Sequence, residues 1–465
     1  MDARPLSGSM GRTAAVVSEI ERRIASRQLV TGARLPSVRA FAHSMGVSPS
    51  TVVEAYERLA AAGLIRSRPG SGFYVAQATA PLSLADIGPR LDRAVDPLWI
   101  SRQALDEQDD RLKPGCGWLP PDWLPQAALQ RALKALSRQE GKVLSDYDSP
   151  LGLPPLRQLL SRRMLERGIP ADPGQIMLTE SGTQAIDLLC RFLIEPGDAV
   201  AVDDPCYFNF HALLRAHRAR VLSVPMTPEG PDTEAFARLA REEKPRLYIT
   251  MAGMHNPTGA TLSPPVAHRL MRIAAEADIT IIEDDIFGDL ENRPQPRLAA
   301  IDGLNRVIAI GSFSKTLSAS VRCGYVAARP DWLEGLVDLK IATGFSASRL
   351  SAALTLQVLK DGSYRRHVEQ LKVALGKAMN RTVIAARGVG LKPWIEPEAG
   401  LFLWCRLPAG HAAADCARAA LAEGIVLAPG DAFSPSGAAA DFLRFNVAQS
   451  GDARIWDFLA RRLGG

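Results

Sequence analysis

Short apolar runs that alternate with helical patterns fill the chain from residue 113 onward and constrain its fold more than any other feature. Each run is four or five residues long and is followed by a polar or glycine-containing turn. Such alternation predicts an α/β domain with a largely parallel sheet. Ligands of such sheets bind beyond the carboxyl ends of the strands, where we therefore look for a site. The runs are 175–179, 199–203, 246–250, 279–283 and 307–310.

A lysine follows the last of these runs, in the stretch 311–315, which reads Gly-Ser-Phe-Ser-Lys. The amine of Lys315 can form a Schiff base with an aldehyde, and the hydroxyls of Ser312 and Ser314 can hold a phosphate nearby. Arg322 lies seven residues further on and is a second phosphate ligand or a counter-charge. The alternative is an ordinary exposed lysine in a loop.

The first two strands are also followed by residues that suit a cofactor. Ser181, Gly182 and Thr183 open a helix after the first strand, where free N–H groups and the helix dipole can bind a phosphate. Simple capping of the helix is the alternative. Tyr207 follows the second strand and could stack on an aromatic cofactor, although an isolated aromatic residue is also typical of a core.

The stretch 312–325 resembles the lysine motif of fold-type I aminotransferases, which use pyridoxal 5'-phosphate (PLP). The turn 256–259, which reads Asn-Pro-Thr-Gly, resembles another motif of that family. The resemblance implies that Lys315 carries PLP as a Schiff base and that Asn256 donates a hydrogen bond to the 3-oxygen of the pyridine ring. It also implies that Asp284 keeps the pyridine nitrogen protonated, so that the ring acts as an electron sink.

One position departs from the family pattern. The family usually has a tyrosine two or three residues after the aspartate, and its hydroxyl touches the 3-oxygen. This chain has Ile286 and Phe287 there, and we keep Phe287 as a candidate cofactor contact. The missing hydroxyl counts against efficient transamination but not against cofactor binding.

Two further residues match the family. The resemblance implies that Tyr147 reaches the phosphate of the neighbouring subunit's cofactor, and hence a homodimer; a packed aromatic at a helix start is the alternative. Arg444, in the apolar run 442–446, matches the arginine that binds a substrate carboxylate. A planar guanidinium suits a carboxylate. A structural ion pair with an acidic side chain is the alternative for Arg444.

The N-terminal part has the pattern of a helix-turn-helix. Residues 13–26 carry a helical apolar stripe, and Ser37 is a suitable N-cap for a helix over 38–45. Ser48 caps the next helix, with Pro49 at its first position. Two short helices joined by a tight turn form this motif.

A predicted hairpin with a glycine-rich tip follows and completes a winged helix, with strands near 64–68 and 73–75. Residues 1–78 hold ten arginines and five acidic residues, while the remainder of the chain is balanced. Excess positive charge confined to one end indicates an anionic partner there.

This unit resembles the GntR-type winged helix, which implies binding to operator DNA. Some relatives carry arginines in the recognition helix where this chain has Pro49 and Val53, so base readout is expected to depend on hydroxyls, shape and Arg68. A winged helix used for protein contacts is the alternative. The candidate DNA contacts are Arg39, Ser48, Ser50, Thr51, Arg66, Arg68 and Gly70.

We predict a DNA-binding domain over 1–78, a partly helical linker over 79–112 and an aminotransferase-like domain over 113–465 with a large, mostly parallel sheet and a smaller C-terminal α+β subdomain. Packing of the N-terminal domain or linker on a partner subunit is one option. No apolar run suits a membrane span, the N-terminus lacks a signal peptide, and the six scattered cysteines suggest neither a metal site nor disulfides. A cytoplasmic protein is expected.

The combination resembles the MocR subfamily of bacterial regulators. The resemblance implies a transcription factor whose aminotransferase-like domain senses PLP or an amino compound, with no net turnover, and controls DNA binding by a homodimer. Two alternatives remain at this point. One is a working aminotransferase with an auxiliary DNA-binding domain, and the other is a dimerisation domain that binds no cofactor.

Overall fold

The computed structural model describes residues 11–25, 28–29, 32–68, 71–76, 99–105, 111–138, 143–251 and 253–464. The chain divides into two units, residues 1–90 and 91–465. The predicted boundary at residue 78 and most of the predicted linker lie outside the described residues.

Local capping sets the helices of the first unit, called the head below. The Ser37 hydroxyl accepts a hydrogen bond from the Ala40 N–H at 3.2 Å, and the Ser48 hydroxyl accepts one from the Thr51 N–H at 3.2 Å. The predicted caps are thus confirmed. The elements are α1 (Arg12–Ala25), α2 (Val38–Met45), α3 (Pro49–Ala61) and an antiparallel hairpin of β1 (Ile65–Arg68) and β2 (Gly72–Val75).

The apolar faces of these elements form one small core. Ile20 of α1, Phe41 of α2 and Val52 of α3 are buried against one another and against Val75 of β2. Tyr56 is also buried, and its hydroxyl donates to the Pro36 carbonyl at 3.0 Å. Burial of each large apolar side chain stabilises the fold by about 1.5–3 kcal/mol, which suits a domain of this size.

In the described part of the second unit, eight strands form one large sheet in the order β3-β10-β9-β8-β7-β4-β5-β6. The pairs from β5 through β4, β7 and β8 to β9 are parallel, whereas β10 is antiparallel to both its neighbours. The strands are β3 (Ile176–Thr179), β4 (Ala199–Asp204), β5 (Arg220–Thr227), β6 (Gly230–Pro231), β7 (Leu247–Thr250), β8 (Thr280–Asp284), β9 (Val307–Ser312) and β10 (Gly324–Ala327).

Helices accompany this sheet, and two apolar clusters form its core. Strands β4, β7 and β8 are buried almost completely, as expected for parallel strands between helical layers. The helices are α4 (Trp99–Leu105), α5 (Gln126–Leu136), α6 (Pro154–Leu165), α7 (Gly182–Leu193), α8 (Phe208–Ala216), α9 (Thr233–Glu242), α10 (Pro264–Glu276), α11 (Leu298–Asp302), α12 (Pro330–Gly344) and α13 (Arg349–Lys360).

A second, antiparallel sheet of four strands in the order β11-β12-β14-β13 forms the C-terminal subdomain among the described residues. The 26-residue helix α14 connects the two parts, because Tyr364 packs in one core cluster of the large sheet and Leu371 packs with the C-terminal strands. The elements are α14 (Ser363–Gly388), β11 (Lys392–Pro393), β12 (Phe402–Arg406), α15 (Ala413–Ala422), β13 (Ala428–Pro429), β14 (Phe442–Asn446) and α16 (Ala453–Leu463).

The predicted α/β class and all five predicted strands are confirmed, with bounds that move by one or two residues. The helix predicted after the first strand begins at Gly182. Strand β10 had no sequence prediction. Among the described residues, none of the helices has the length and apolarity needed to span a bilayer.

Candidate functional site

Residues at the carboxyl ends of the large sheet converge on Lys315. Its amine interacts electrostatically with Asp284 at the end of β8, with Arg322 and with Arg444 of the smaller sheet. Tyr207, after β4, interacts with the same three residues. The fold therefore brings together most of the residues that the sequence singled out, although they lie far apart along the chain.

The Lys315 side chain is half-buried, and its amine lies among polar groups. Nζ donates a hydrogen bond to the Gly117 carbonyl at 2.7 Å. Desolvation of the amine, with a further contribution from Arg444, lowers the pKa of Lys315 to about 8. A lowered pKa increases the neutral fraction, which is the nucleophilic form that a Schiff base requires.

Hydroxyls and a helix N-terminus form one side of the site. The Ser312 and Ser314 hydroxyls are 2.8 Å apart, and the Ser314 N–H donates to Ser312 Oγ at 3.2 Å. A methyl group on Gly182 would lie 3.9 Å from Ser312 Cβ, so the first turn of α7 borders these serines. The Ser181 hydroxyl itself caps α7 by accepting the Gln184 N–H at 3.0 Å. Its side chain therefore plays the alternative capping role.

Arg322 adds an uncommitted positive charge. It is exposed and, among the described residues, has neither a hydrogen bond nor a salt bridge. Its φ of 53° lies in the left-handed region that non-glycine residues seldom adopt. Thr183 lies half-buried in the first turn of α7. N–H groups, hydroxyls and a free guanidinium together make a suitable site for a phosphate.

Asp284 is a buried carboxyl group without a cationic hydrogen-bond partner in the described structure. Its Oδ1 accepts the Ile286 N–H at 3.1 Å. Burial is the main cause that raises the pKa of Asp284 to about 7; neighbouring Asp285 contributes to the rise, while the Ile286 N–H and Lys315 oppose it. A protonated ring nitrogen beside Asp284 would stabilise the carboxylate form.

Asn256 and Arg444 form a hydrogen-bonded pair. Arg444 donates from Nη1 to Asn256 Oδ1 at 2.7 Å and from Nη2 to the Gly115 carbonyl at 2.7 Å. Because the Asn256 oxygen is occupied, its amide nitrogen is the group left to donate. Tyr207 is half-buried, and its hydroxyl accepts from Asn209 at 3.0 Å.

Arg444 is fully buried, yet it pairs with no acidic residue in the described part of the chain. Its guanidinium lies over the rings of Phe402 (4.2 Å) and Phe433 (4.7 Å), and its Nε has no hydrogen-bond partner. Burial lowers the pKa of Arg444 to about 10. An unsatisfied buried donor costs about 1–3 kcal/mol, which a bound carboxylate would offset.

Two aromatic candidates have opposite environments. Phe287 is buried and packs edge-on against Phe402 at 5.5 Å, so it belongs to the core beneath the site. Tyr147 is 76% exposed and stacks on Phe345, which is 62% exposed, with ring centroids 5.4 Å apart. Its exposure does not fit the alternative of a packed aromatic residue.

Sequence reasoning missed the segment 114–118, which we call the strap. Its carbonyls at Gly115 and Gly117 accept from Arg444 and Lys315, and its Cys116 sulfur accepts from Gln449 at 2.8 Å. A side chain on Gly115 would come within 2.5 Å of the Leu427 backbone. Two glycines around one cysteine were the only signal in the sequence.

Sequence reasoning also missed a partly buried hydrogen-bond network next to the site. The Thr316 hydroxyl lies 2.6 Å from the Tyr364 hydroxyl, which donates to Asp289. Arg167 donates to Asp289 and, at 2.8 Å, to Asp285. The network thus joins the neighbour of Lys315 to the neighbour of Asp284. Its members lie on four separate segments, and no local pattern marks them.

In the head, the candidate DNA contacts lie on the surface. The Ser48 hydroxyl is 2.8 Å from each of the Ser50 and Thr51 hydroxyls. Arg39, Arg66 and Arg68 are exposed, and Arg68 lies 4.6 Å from the centre of the Tyr74 ring. Gly70 lies outside the described residues.

Comparisons with known proteins identify both units. The model of the family "Aminotransferase class I and II" matches residues 120–461, and that of "Bacterial regulatory proteins, gntR family" matches residues 12–75. Fold and site thus define a PLP-type aminotransferase domain that follows a GntR helix-turn-helix. The chain belongs to the MocR-type subfamily of the GntR family.

The similar proteins include two regulators that match most of this chain and an aminotransferase that matches a smaller share of it. The HTH-type transcriptional regulator YdcR of Escherichia coli K12 is 30% identical over 442 residues, which is 93% of this chain and 94% of that protein. The probable rhizopine catabolism regulatory protein MocR of Rhizobium meliloti is 27% identical over 424 residues, 88% and 85% of the two chains. A solved structure is also similar, that of the α-aminoadipate aminotransferase LysN from Thermus thermophilus in complex with N-(5'-phosphopyridoxyl)-L-leucine. It superposes with a TM-score of 0.73 at 26% identity, and the match covers 83% of this chain and 99% of LysN.

The residues of this site fit PLP, the cofactor of the aminotransferase family. The lysine has a lowered pKa, the carboxyl group of Asp284 is buried beside it, and the exposed Arg322 interacts electrostatically with the same lysine. Each part of the cofactor has a matching group among them.

Proposed function

We propose that the protein is a PLP-dependent transcriptional regulator whose aminotransferase-like domain controls binding of the head to operator DNA. The observation that carries this proposal is the convergence of Lys315, Asp284 and Arg444 in the same chain as a winged helix, together with Phe287 where the family usually has a tyrosine. The relatives YdcR and MocR, which are named as regulators, span both units and support the proposal.

Each residue of the site has a proposed role toward PLP. Lys315 attaches the cofactor, Asp284 pairs with the ring nitrogen, and the Asn256 amide donates to the 3-oxygen. Tyr207 borders the ring, and Phe287 packs in the core beneath it. Bound PLP supplies an electrophilic carbon that reacts with amines. The phosphate is held by Gly182, Thr183, Ser312, Ser314, Arg322 and the partner's equivalent of Tyr147, while Ser181 caps the helix that begins at Gly182.

The effector we propose is PLP itself or an amino compound with a carboxylate. Arg444 holds that carboxylate, because its buried Nε has no partner and no described acidic side chain neutralises it. Asn256 fixes the guanidinium in place through its 2.7 Å hydrogen bond. A ligand that lacks the carboxylate would leave the buried donor unsatisfied.

The strap directly follows the predicted linker along the chain. Leu112, just before it, pairs with Ile425 of the C-terminal subdomain. Lys315 and Arg444 both donate to its carbonyls. A ligand that recruits either cation competes for these hydrogen bonds, so occupancy of the pocket acts on the segment that leads to the linker.

A cytoplasmic homodimer is part of the proposal. Tyr147 and Phe345 form an apolar pair that faces solvent in one chain, which suits contact with a second copy. A dimer would present two heads to a pair of half-sites.

The test is a salt-controlled DNA titration with the full chain, using duplexes that it selects from a randomised library. We expect PLP to change the affinity at fixed salt, and Lys315→Ala to abolish that change. Affinities that are identical with and without PLP would overturn PLP sensing. Failure to select any sequence would overturn DNA recognition.

A working aminotransferase is the second candidate, because Lys315, Asp284 and Arg444 are all present. The 2-aminoadipate transaminase of Thermus thermophilus is 30% identical over 339 residues, which is 71% of this chain and 84% of that protein. Keto acid formed over many turnovers from amino acids would favour this candidate, whereas at most one equivalent per PLP would favour the regulator.

A further inference from the structure

We propose that Val53 on the recognition helix α3 reads the 5-methyl group of thymine in the major groove of the operator. The inference rests on the proposed function, since it assumes that the head binds DNA. It specifies the chemistry of the bases that this surface selects.

Val53 is exposed where its neighbour is not. Val52 is completely buried in the core of the head, whereas Val53 is 39% exposed. No other large apolar side chain is exposed among the described residues of the head. Val53 also lies in the first half of α3, which is the part of a recognition helix that approaches base edges. Val53 contributes little to the core of the head. Its side chain is instead placed to contact a second molecule.

The polar residues around Val53 are already engaged. Ser48 caps the helix, and its hydroxyl is 2.8 Å from those of Ser50 and Thr51. Glu54 accepts from Arg58 at 2.6 Å and from the Thr13 hydroxyl at 3.2 Å. The hydroxyls of Ser48, Ser50 and Thr51 are therefore better placed to cap the helix and to contact phosphates than to read bases.

The composition of α3 leaves few of the usual polar readers of purines. The helix contains no asparagine, glutamine or lysine, and its single arginine is Arg58, the partner of Glu54. Apart from Arg58, which pairs with Glu54, this helix offers no side chain for bidentate recognition of guanine or adenine. Thymine is the base that offers an apolar group in the major groove, and methyl groups of side chains recognise it by contact.

The experiment replaces thymine by deoxyuridine, which removes the methyl group and keeps the base pairing. The full chain first selects duplexes from a randomised library in the presence of PLP. Each thymine of a selected duplex is then replaced singly, and affinities are measured at fixed salt. We expect about a fourfold loss at one or two thymines in each half-site, the change that corresponds to one buried methyl group.

Val53→Ala should bind the selected duplex more weakly and lose the sensitivity to deoxyuridine at those positions. Alanine favours a helix, so this variant is expected to fold. Val17→Ala on α1, where the valine is half-buried, is the matched control and should keep the full sensitivity. Val53→Thr retains one methyl group and should keep part of it.

Two results overturn the proposal. In one, the original chain tolerates deoxyuridine at every position of the selected duplex. In the other, Val53→Ala shows the same losses as the original chain. A chain that selects no DNA would instead overturn the proposed function, so the two failures are distinguishable.

Discussion

The head and the aminotransferase-like unit differ in how their polar groups find partners. In the head, Ser37 and Ser48 cap helices by accepting from residues three positions away. In the second unit, Lys315 bonds to a residue 198 positions away and Arg444 to one 329 positions away. The helix starts of the head are therefore set by local sequence, whereas the hydrogen bonds of Lys315 and Arg444 depend on tertiary assembly.

The difference indicates which unit can respond to a ligand. Local caps form whenever the helix forms, so they carry no information about a distant site. The hydrogen bonds of Lys315 and Arg444 join the strap to the site across separate elements, and a ligand that takes either cation changes them. A ligand therefore changes hydrogen bonds in the pocket, which we call the adjustable part, and leaves those of the head, the constant part, unchanged.

Lys315→Ala should have the largest effect and should be confined to the pocket. We expect complete loss of the visible absorbance of lysine-bound PLP and of the adduct that borohydride traps, because no other described amine occupies this place. DNA affinity should persist but no longer respond to PLP. Lys392→Ala, on the exposed strand β11, is the control and should behave as the unchanged chain. An unchanged spectrum in Lys315→Ala would show that the cofactor is attached elsewhere.

Arg444→Gln should weaken binding of the carboxylate effector by about tenfold to a hundredfold, the value of a charge-assisted hydrogen bond. PLP should still attach, because Lys315 and the phosphate ligands are unchanged. The measurement is a titration of the PLP absorbance with amino acids and with matching amines that lack the carboxylate. The control is Arg406→Gln. Arg406 lies on strand β12 and forms an exposed salt bridge with Asp441. Equal losses for acids and amines would contradict a carboxylate role.

Asp284 should make the stability of the pocket depend on pH. Burial raises the pKa of Asp284 to about 7, so the fold favours the protonated form. Its contribution to the free energy of unfolding is fully present below the ordinary pKa of 3.8 and is lost as the pH rises through about 7. The loss amounts to at most about 1.4 kcal/mol per pH unit. Thermal melts of the cofactor-free chain from pH 4 to 8 should show this fall, and Asp284→Asn should reduce it.

Glu283 is the matched control for that measurement. Burial raises its pKa to about 7 as well, but its oxygens accept the Leu298 and Ala299 N–H groups and do not face Lys315. PLP should therefore remove the Asp284 part of the pH dependence and leave the Glu283 part. A slope that PLP does not alter would contradict pairing of Asp284 with the ring nitrogen.

The contrast between local and long-range contacts also explains which features could be predicted from the sequence. Helix caps, the hairpin and the five strands could be predicted because their signals lie within a few residues. Lys315, Asp284 and Arg444 could be selected by motif, and their roles remain predictions. The strap and the Tyr364–Asp289–Arg167 network could not be predicted, since they depend on elements that meet only in the folded chain.

Ser48→Ala should have the smallest effect and should test the constant part. Loss of this cap costs about 1 kcal/mol, which lowers the melting midpoint of a unit this size by about 4–8 °C. Ser50→Ala is the control, because its hydroxyl contacts Ser48 but accepts no described N–H of the helix. Titration of the PLP absorbance should be identical in both variants. A shift of that titration in Ser48→Ala alone would mean that the head and the pocket share their stability, and the contrast between a constant and an adjustable unit would then be wrong.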